Sequence, residues 1–200
     1  VPIDPSALRP WPDCPLVVAY GLGVNSTAML IEFAGRGIRP DLILFADTGG
    51  EKPETYQYLQ VIRPFLASVG FPDVIVVRYQ PKWAEYSTLE GQCLHTGTLP
   101  SLAYGGKSCS LKYKRQPQDK FVRGWEPARK CWARGGKVVK AIGCDAGPAD
   151  SRRIRYEEDE EYRYWYPLAS WGYDRQRCQE IILRAGLPVP VKSACFFDRP

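Results

Sequence analysis

Three near-continuous apolar runs set the frame of this chain: PLVVAY (15–20), DLILFAD (41–47) and DVIVVRY (73–79). Strands that are apolar on both faces belong in a parallel sheet covered on both sides. A helix fits between the first two, capped by Asn25 or Ser26 and running through about Gly35. A second opens at Pro53. It places Thr55, Leu59, Ile62, Leu66 and Val69 on one stripe, with Pro64 expected to kink it and Gly70 to end it. This β-α-β-α-β order predicts an α/β fold with an open, mostly parallel sheet and helices on both faces.

Residues 83–112 lack clear periodicity and read as a long, glycine-containing loop, a type that is usually functional or disordered. A basic helical segment is expected over about 110–134, interrupted by Pro117 and Pro127, and KVVKAIG (137–143) reads as a fourth strand. The tract RRIRYEEDEEYRYWYP is expected to loop over the surface into an edge strand. DRQRCQEIILRAG reads as a helix capped by Asp174, with Cys178, Ile181, Ile182 and Ala185 inward and Gly186 as its stop. No internal repeat is visible. Two hundred residues suit one domain, here 1–200, with a proline-rich lead-in (1–14) and a C-terminal helix plus tail (174–200).

No apolar run approaches the roughly 18–20 residues that cross a bilayer, so no membrane partner is expected. The N-terminus has no basic stretch leading into an apolar one, so no secretory signal is expected either. The seven cysteines are scattered and form no Cys-x-x-Cys pair, which reads as reduced thiols of a cytoplasmic protein. Net charge is +5, yet residues 107–140 hold eleven lysines and arginines against Asp119 and Glu126. Such a segment either meets an anionic partner (nucleotide, sulfate or nucleic acid) or is a solvated basic face.

Ligands of open α/β sheets bind beyond the carboxyl ends of the strands. Three suggestive stretches sit at such ends and should converge on one rim: GLGVNST, DTGGEKPET and GCDAGPADSRR. In the first, Gly21 and Gly23 permit a tight turn and close backbone approach. The amides of the following helix then face an anion, and Ser26 and Thr27 add hydroxyls. It is neither a Walker A loop, having no Gly-Lys-Ser/Thr ending, nor a G-x-G-x-x-G fingerprint.

Five segments, in order, resemble the PP-loop (N-type) ATP pyrophosphatase superfamily and its phosphoadenosine phosphosulfate (PAPS) reductase-like branch. GLGVNS is similar to the Ser-Gly-Gly-x-Asp-Ser loop, keeping Gly23 and Ser26 and differing at Gly21, Leu22 and Asn25. DTGGEKPETYQYL, KSCSLKYKRQP, IGCDAGPADSRR and YPLASW resemble the branch's Asp-Thr-Gly…Pro-Glu-Thr-Tyr, cysteine-plus-Leu-Lys, Gly-x-Arg-x-Asp-x-Ser…Arg and pre-tail stretches.

The resemblance implies an adenine nucleotide alpha-hydrolase-like fold that binds ATP or PAPS with Mg²⁺. Its nucleotide contacts would be Tyr20, Gly21, Gly23, Asn25, Ser26 and Thr27, then Asp47, Thr48 and Gly49, and finally Gly143, Asp145 and Arg152. Asp47 is a candidate Mg²⁺ ligand, or else a turn cap. Glu51 and Glu54 would hold the metal through water or cap the helix, with capping favoured for Glu54. Catalytic roles would fall to Ser26, Lys112, Cys109 and Cys195, with Lys112 and Lys114 facing charge on a leaving group. Some reductases of the branch carry a 4Fe–4S cluster on paired cysteines. Here half of each cysteine pair is absent, leaving Cys93, Cys109 and Cys195 as candidate ligands unless they are simply buried small side chains.

The implied activity is substrate adenylation with pyrophosphate release, in sulfur transfer to, or modification of, a nucleic acid. The alternatives are a sulfonucleotide reductase releasing sulfite, or a degenerate nucleotide- or nucleic-acid-binding module. Implied partners are the nucleotide, a nucleic acid or a sulfur-carrier or thioredoxin protein, and a second copy in a homodimer.

Overall fold

Each apolar run becomes a strand because its alternate residues find a covered face on either side. The computed structural model describes residues 9–99, 108–152, 154 and 158–191. Its strands are β1 (Leu16–Ala19), β2 (Leu42–Asp47), β3 (Val74–Arg78), β4 (Val138–Ile142) and β5 (Tyr162–Trp165). They form one sheet in the order β3-β2-β1-β4-β5, and every pairing is parallel. The chain first winds outward from β1 to β3, then returns to the other side of β1 with β4. The reversal therefore falls between β1 and β4, where their carboxyl ends diverge into separate loops.

Three helices, α1 (Val24–Gly35), α2 (Pro53–Ser68) and α9 (Arg175–Arg184), cover one face. Leu16 and Val18 of β1, Ile43 and Phe45 of β2, and Val139 and Ala141 of β4 point into that layer, against Phe33, Ile62 and Ile182. The intervening residues Val17, Leu42, Leu44 and Val138 face the opposite layer, where α5 (Gln116–Gly124) contributes Val122 and α6 (Glu126–Ala133) contributes Ala128. The α/β architecture expected from the sequence is thus the one observed. No helix among the described residues is long and apolar enough to cross a membrane.

Local departures have clear causes. The expected loop over 83–112 contains α3 (Leu89–Thr96), whose Thr88 hydroxyl accepts the Gly91 amide at 2.9 Å and whose end is closed by Gly97 at φ 63°. Only Leu89 of this helix is buried, so there was no apolar stripe to read. The basic segment opens with a short helix, α4 (Ser108–Ser110), and passes through a π-helical turn, Leu111–Arg115, into α5. Pro117 lies just after the π turn and has no N–H. Its ring crowds the carbonyl four residues back, and the wide turn is where the chain accommodates it. Two further short helices, α7 (Pro148–Ser151) and α8 (Pro167–Ser170), flank β5. Asp174 caps α9 as expected, accepting the Arg177 amide at 2.8 Å.

The turn after β1 differs from its sequence reading. Neither glycine adopts a positive φ there; the left-handed residue is Leu22, at φ 56°, with its side chain fully buried. Gly23 is extended (φ −106°, ψ 175°) and is itself the N-cap, so α1 begins before Asn25 and Ser26 rather than at them. Left-handed backbone costs a leucine about 1–2 kcal/mol. Burying its side chain returns more, since removing a buried leucine side chain costs about 2–5 kcal/mol. Leu22→Gly is accordingly expected to lower stability by about 2 kcal/mol despite relaxing the turn. Urea midpoints with unchanged m-values check this, and an unchanged or raised midpoint would show that strain outweighs packing.

Candidate functional site

A cavity of about 750 Å³ opens at the β1/β4 reversal. That volume lies within the range that holds small molecules and cofactors. On the side of the sheet covered by α1 it is lined by Tyr20, Gly21, Gly23, Asn25 and Ser26, and by Gly143, Asp145 and Asp150 from the loop after β4. Over the edge, on the α5 side, it reaches Lys114, Arg115, Gln118, Lys140 and Tyr164. Arg175, at the start of α9, completes the wall.

Backbone geometry makes the anion-seeking end. The α1 N-terminus has no side-chain cap and no acidic residue in its first turn. Its orphan amides and the positive end of its dipole are therefore available to an anion. Ser26 holds the loop closed: its hydroxyl donates to the Gly23 carbonyl at 3.2 Å and accepts the Gly21 amide at 3.3 Å. The loop after β4 presses directly on this turn. A Cβ on Gly143 would lie 2.7 Å from both the amide nitrogen and the Cα of Ser26. Asn25 ties the two loops together, its Nδ2 donating to Asp145 at 2.9 Å and to Asp150 at 2.8 Å, while its Oδ1 is buried with no partner among the described residues.

Several expected contacts lie elsewhere. Thr27 is fully buried and its hydroxyl pairs with that of Tyr20 at 3.1 Å, so it supports the loop from behind. The DTGG turn is not among the described lining residues; the cavity touches β2 only at Phe45 and Ala46. Both Asp47 oxygens are engaged, Oδ1 by the Gly49 amide and the Tyr56 hydroxyl and Oδ2 by Arg78 at 2.7 Å. That is the turn-cap role, and it leaves Asp47 poorly suited to Mg²⁺. Burial, then the bond to Asp47, pushes the Tyr56 hydroxyl well above its ordinary pKa. Thr48 accepts the Gly50 amide at 3.2 Å, and Gly49 combines φ 66° with a close approach to Thr88. Glu54 sits exposed in the first turn of α2, where its charge suits the dipole. Arg152 donates to the Pro148 carbonyl at 3.0 Å and is absent from the described lining.

Lys112 also stands apart from the lining. Its ammonium lies among Tyr79, Tyr86 and Tyr113, 4.6–5.3 Å from their ring centres, and donates to Gln92 at 3.0 Å. Cys93 and Cys109 are half-buried near Tyr113, whose hydroxyl is pushed up first by burial and further by its neighbours. Cys195 lies outside the described residues. Among those described, no three His, Cys, Asp or Glu side chains gather to hold a metal ion, and the donors for an iron–sulfur cluster are not assembled.

The basic segment is largely neutralised from within. Lys114 reaches the fully buried Glu51 at 2.8 Å, Lys140 reaches Asp119 at 2.7 Å, and Arg115 lies 3.4 Å from both Asp119 and Asp159. Arg123 pairs with Glu161 and Lys137 with Glu158, both at 2.9 Å. The acidic tract before β5 thus folds back onto the basic helices. Burial lowers the pKa of Lys140, opposed by Asp119. Sequence reasoning missed Lys140, although a lysine inside VVKAI is itself a sign of a buried ion pair. It also missed Arg115, Gln118, Tyr164, Asp150 and Arg175.

No protein-family model matches this chain, and no curated protein matches it. The geometry generates two expectations. Gly143→Ala forces β4's loop off the α1 backbone, so stability should fall by about 1–3 kcal/mol in urea unfolding; an unchanged midpoint would mean the contact is slack. Asp159 has its pKa below the ordinary carboxylate value. Burial alone would raise it, but the Tyr164 hydroxyl, the Tyr162 and Glu161 amides and Arg115 favour the ionised form. A depressed folded-state pKa gives stability that is present above the unfolded value, near pH 4, and disappears as pH falls through the folded value. Asp159→Asn should therefore cost about 1 kcal/mol at pH 7, discounted for its partial exposure, with the difference vanishing in acid. Denaturation midpoints from pH 2 to 7 test it, and a gap that persists in acid would overturn it.

Proposed function

We propose that this chain is an adenine-nucleotide-binding enzyme of the PP-loop pyrophosphatase type, which activates its substrate by adenylation. The observation that carries the reading is the uncapped first turn of α1 opening into a nucleotide-sized cavity at the β1/β4 reversal. An anionic group rests on the amides after Gly23. The rest of the nucleotide passes over the strand ends toward Gln118 and Tyr164.

Mg²⁺ would fit the donors at Asn25, Asp145 and Asp150 with the Asn25 amide turned over, so that its oxygen rather than its nitrogen faces the two carboxylates. The Asp145 and Asp150 carboxylates converge within 2.9 Å of one Asn25 nitrogen, and the buried Asn25 Oδ1 adds a hard oxygen without a partner among the described residues. Asp145 and Asp150, with Asn25, are the residues that would hold the ion, and the ion would offset their repulsion of a polyphosphate. Asn25 stands where the superfamily loop has aspartate, and these two carboxylates supply the negative charge from the neighbouring loop.

In the reaction, a nucleophilic oxygen of the substrate attacks the α-phosphorus of ATP. The bond from that phosphorus to the bridging oxygen breaks, and pyrophosphate leaves with both electrons of that bond. Lys114 lines the same cavity but is already paired with Glu51, so charge on the leaving pyrophosphate falls to the α1 amides. A sulfur nucleophile can then displace AMP. A nucleic acid is the proposed acceptor class, and the exposed cations Arg129 and Arg134 on and after α6 are the feature that suits it. One observation favours a second reading, nucleotide binding without turnover: the Asn25 amide already satisfies both carboxylates without a cation.

ATP titration calorimetry and product analysis test these readings. ATP should bind, and Gly23→Val and Ser26→Ala should each weaken it at least tenfold, about 1.4 kcal/mol. Pyrophosphate and AMP formed with a nucleic acid acceptor support adenylation. Sulfite released from PAPS with thioredoxin would replace this reading with a reductase, binding without product would favour the second, and no binding of ATP would defeat both.

A further inference from the structure

We propose that Arg175 is a ligand-binding residue of this cavity that engages a second anionic group, so that the site selects nucleotides bearing more than one. The inference rests on the nucleotide reading above. Four cationic side chains line the cavity: Lys114, Arg115, Lys140 and Arg175. The first three are held by carboxylates, Glu51 for Lys114 and Asp119 for both Arg115 and Lys140. Arg175 is exposed, and among the described residues no hydrogen bond or ion pair engages its guanidinium.

Its position also runs against helix electrostatics. Arg175 is the first residue of α9, and the acidic group at this end is the preceding cap, Asp174, whose Oδ1 is engaged by the Arg177 amide at 2.8 Å. A cation at the positive end of a helix is mildly destabilising, by about 0.3–1 kcal/mol, so helix stability does not account for it. A cavity anion does. The α1 and α9 helices pack side by side on one face of the sheet, with Phe33 of α1 and Cys178, Ile181 and Ile182 of α9 in one core. Each presents its N-terminal end to the cavity, α1 through Gly23–Ser26 and α9 through Arg175. A group on the α1 amides uses backbone donors, and a second group along the same ligand meets a guanidinium fork suited to phosphate or sulfate oxygens. Nucleoside triphosphates and 3′-phosphorylated phosphosulfates have such a second group; AMP does not.

The test is the ratio of AMP to ATP dissociation constants, measured by calorimetry with Mg²⁺ on the whole chain. Wild type should prefer ATP. Arg175→Ala should weaken ATP at least tenfold, change AMP less than threefold, and so collapse the ratio, while Arg175→Lys restores part of it. Thermal melting within a degree of wild type is expected for both variants, because the residue is exposed. If wild type prefers ATP and Arg175→Ala keeps the same ratio, this inference fails while the nucleotide reading stands. If wild type binds neither nucleotide, the nucleotide reading fails first.

Discussion

The backbone contact between Gly143 and Ser26 is the joint on which the site depends. It brings the loop after β4 against the first turn of α1 with no room for a Cβ between them. From that contact follow the Asn25 bridge to Asp145 and Asp150, the open amides after Gly23 and the crevice itself. The sheet order makes the contact possible. Parallel strands that wind outward in two directions from a common centre leave a gap above the pair at the reversal. Here the gap is bordered by a glycine on one side and an extended N-cap on the other.

Charge is distributed by the same economy. The basic helices would be a poor neighbour for the sheet if their cations stayed unpaired near Tyr162 and Val138. The acidic stretch at 158–161 comes back to meet them, and Asp119 carries both Arg115 and the almost completely buried Lys140. Breaking one member of such a set leaves a buried charge exposed to a low-dielectric surrounding. The segment that looks like a nucleic-acid footprint in the sequence is in good part an internal brace. What it leaves toward the crevice is cations already paired, Lys114 with Glu51 and Arg115 with Asp119, rather than a diffuse field.

The fold was legible because its signals are local and repeated. Four apolar runs at the right spacing, stripes such as Thr55, Ile62 and Leu66, and caps such as Asp174 report the sheet and its covering helices directly. The loop after β1 was legible as a tight turn beside the candidate site, though not in its detail. Its glycines suggested the tight turn, but the residue in left-handed backbone is Leu22, which holds that conformation because the core receives its side chain. In the DTGG stretch Asp47 takes the turn-cap alternative: with Gly49 it serves a tight turn beside Thr88, a requirement that looks in sequence like a binding motif. Lys112 stands outside the described lining of the cavity. Lys112 and Lys114 are alternate residues of a helical segment and so face different ways, Lys112 into a tyrosine cluster and Lys114 to Glu51. Arg175 and Lys140 gave no motif at all. Their meaning comes from violating a local rule, a cation at a helix N-terminus and a lysine in a buried strand.

Those violations also orient a ligand. The face of the sheet under α1 and α9 offers main-chain donors, carboxylates and a guanidinium without a partner among the described residues, all of them groups for an anion and its counter-ion. Under the π turn and α5, the opposite face offers the Gln118 amide and the Tyr164 ring. These suit a heterocycle better than a phosphate, because an amide both donates and accepts and an aromatic ring stacks. A nucleotide lying across the strand ends with its phosphates toward α1 satisfies both faces. The reversed pose would set its phosphates beside cations that Glu51 and Asp119 have already neutralised and leave Arg175 opposite a base. The polarity of the crevice therefore follows from which cations the protein has paired, and the pairing is written mainly in the acidic residues, far from any recognisable loop.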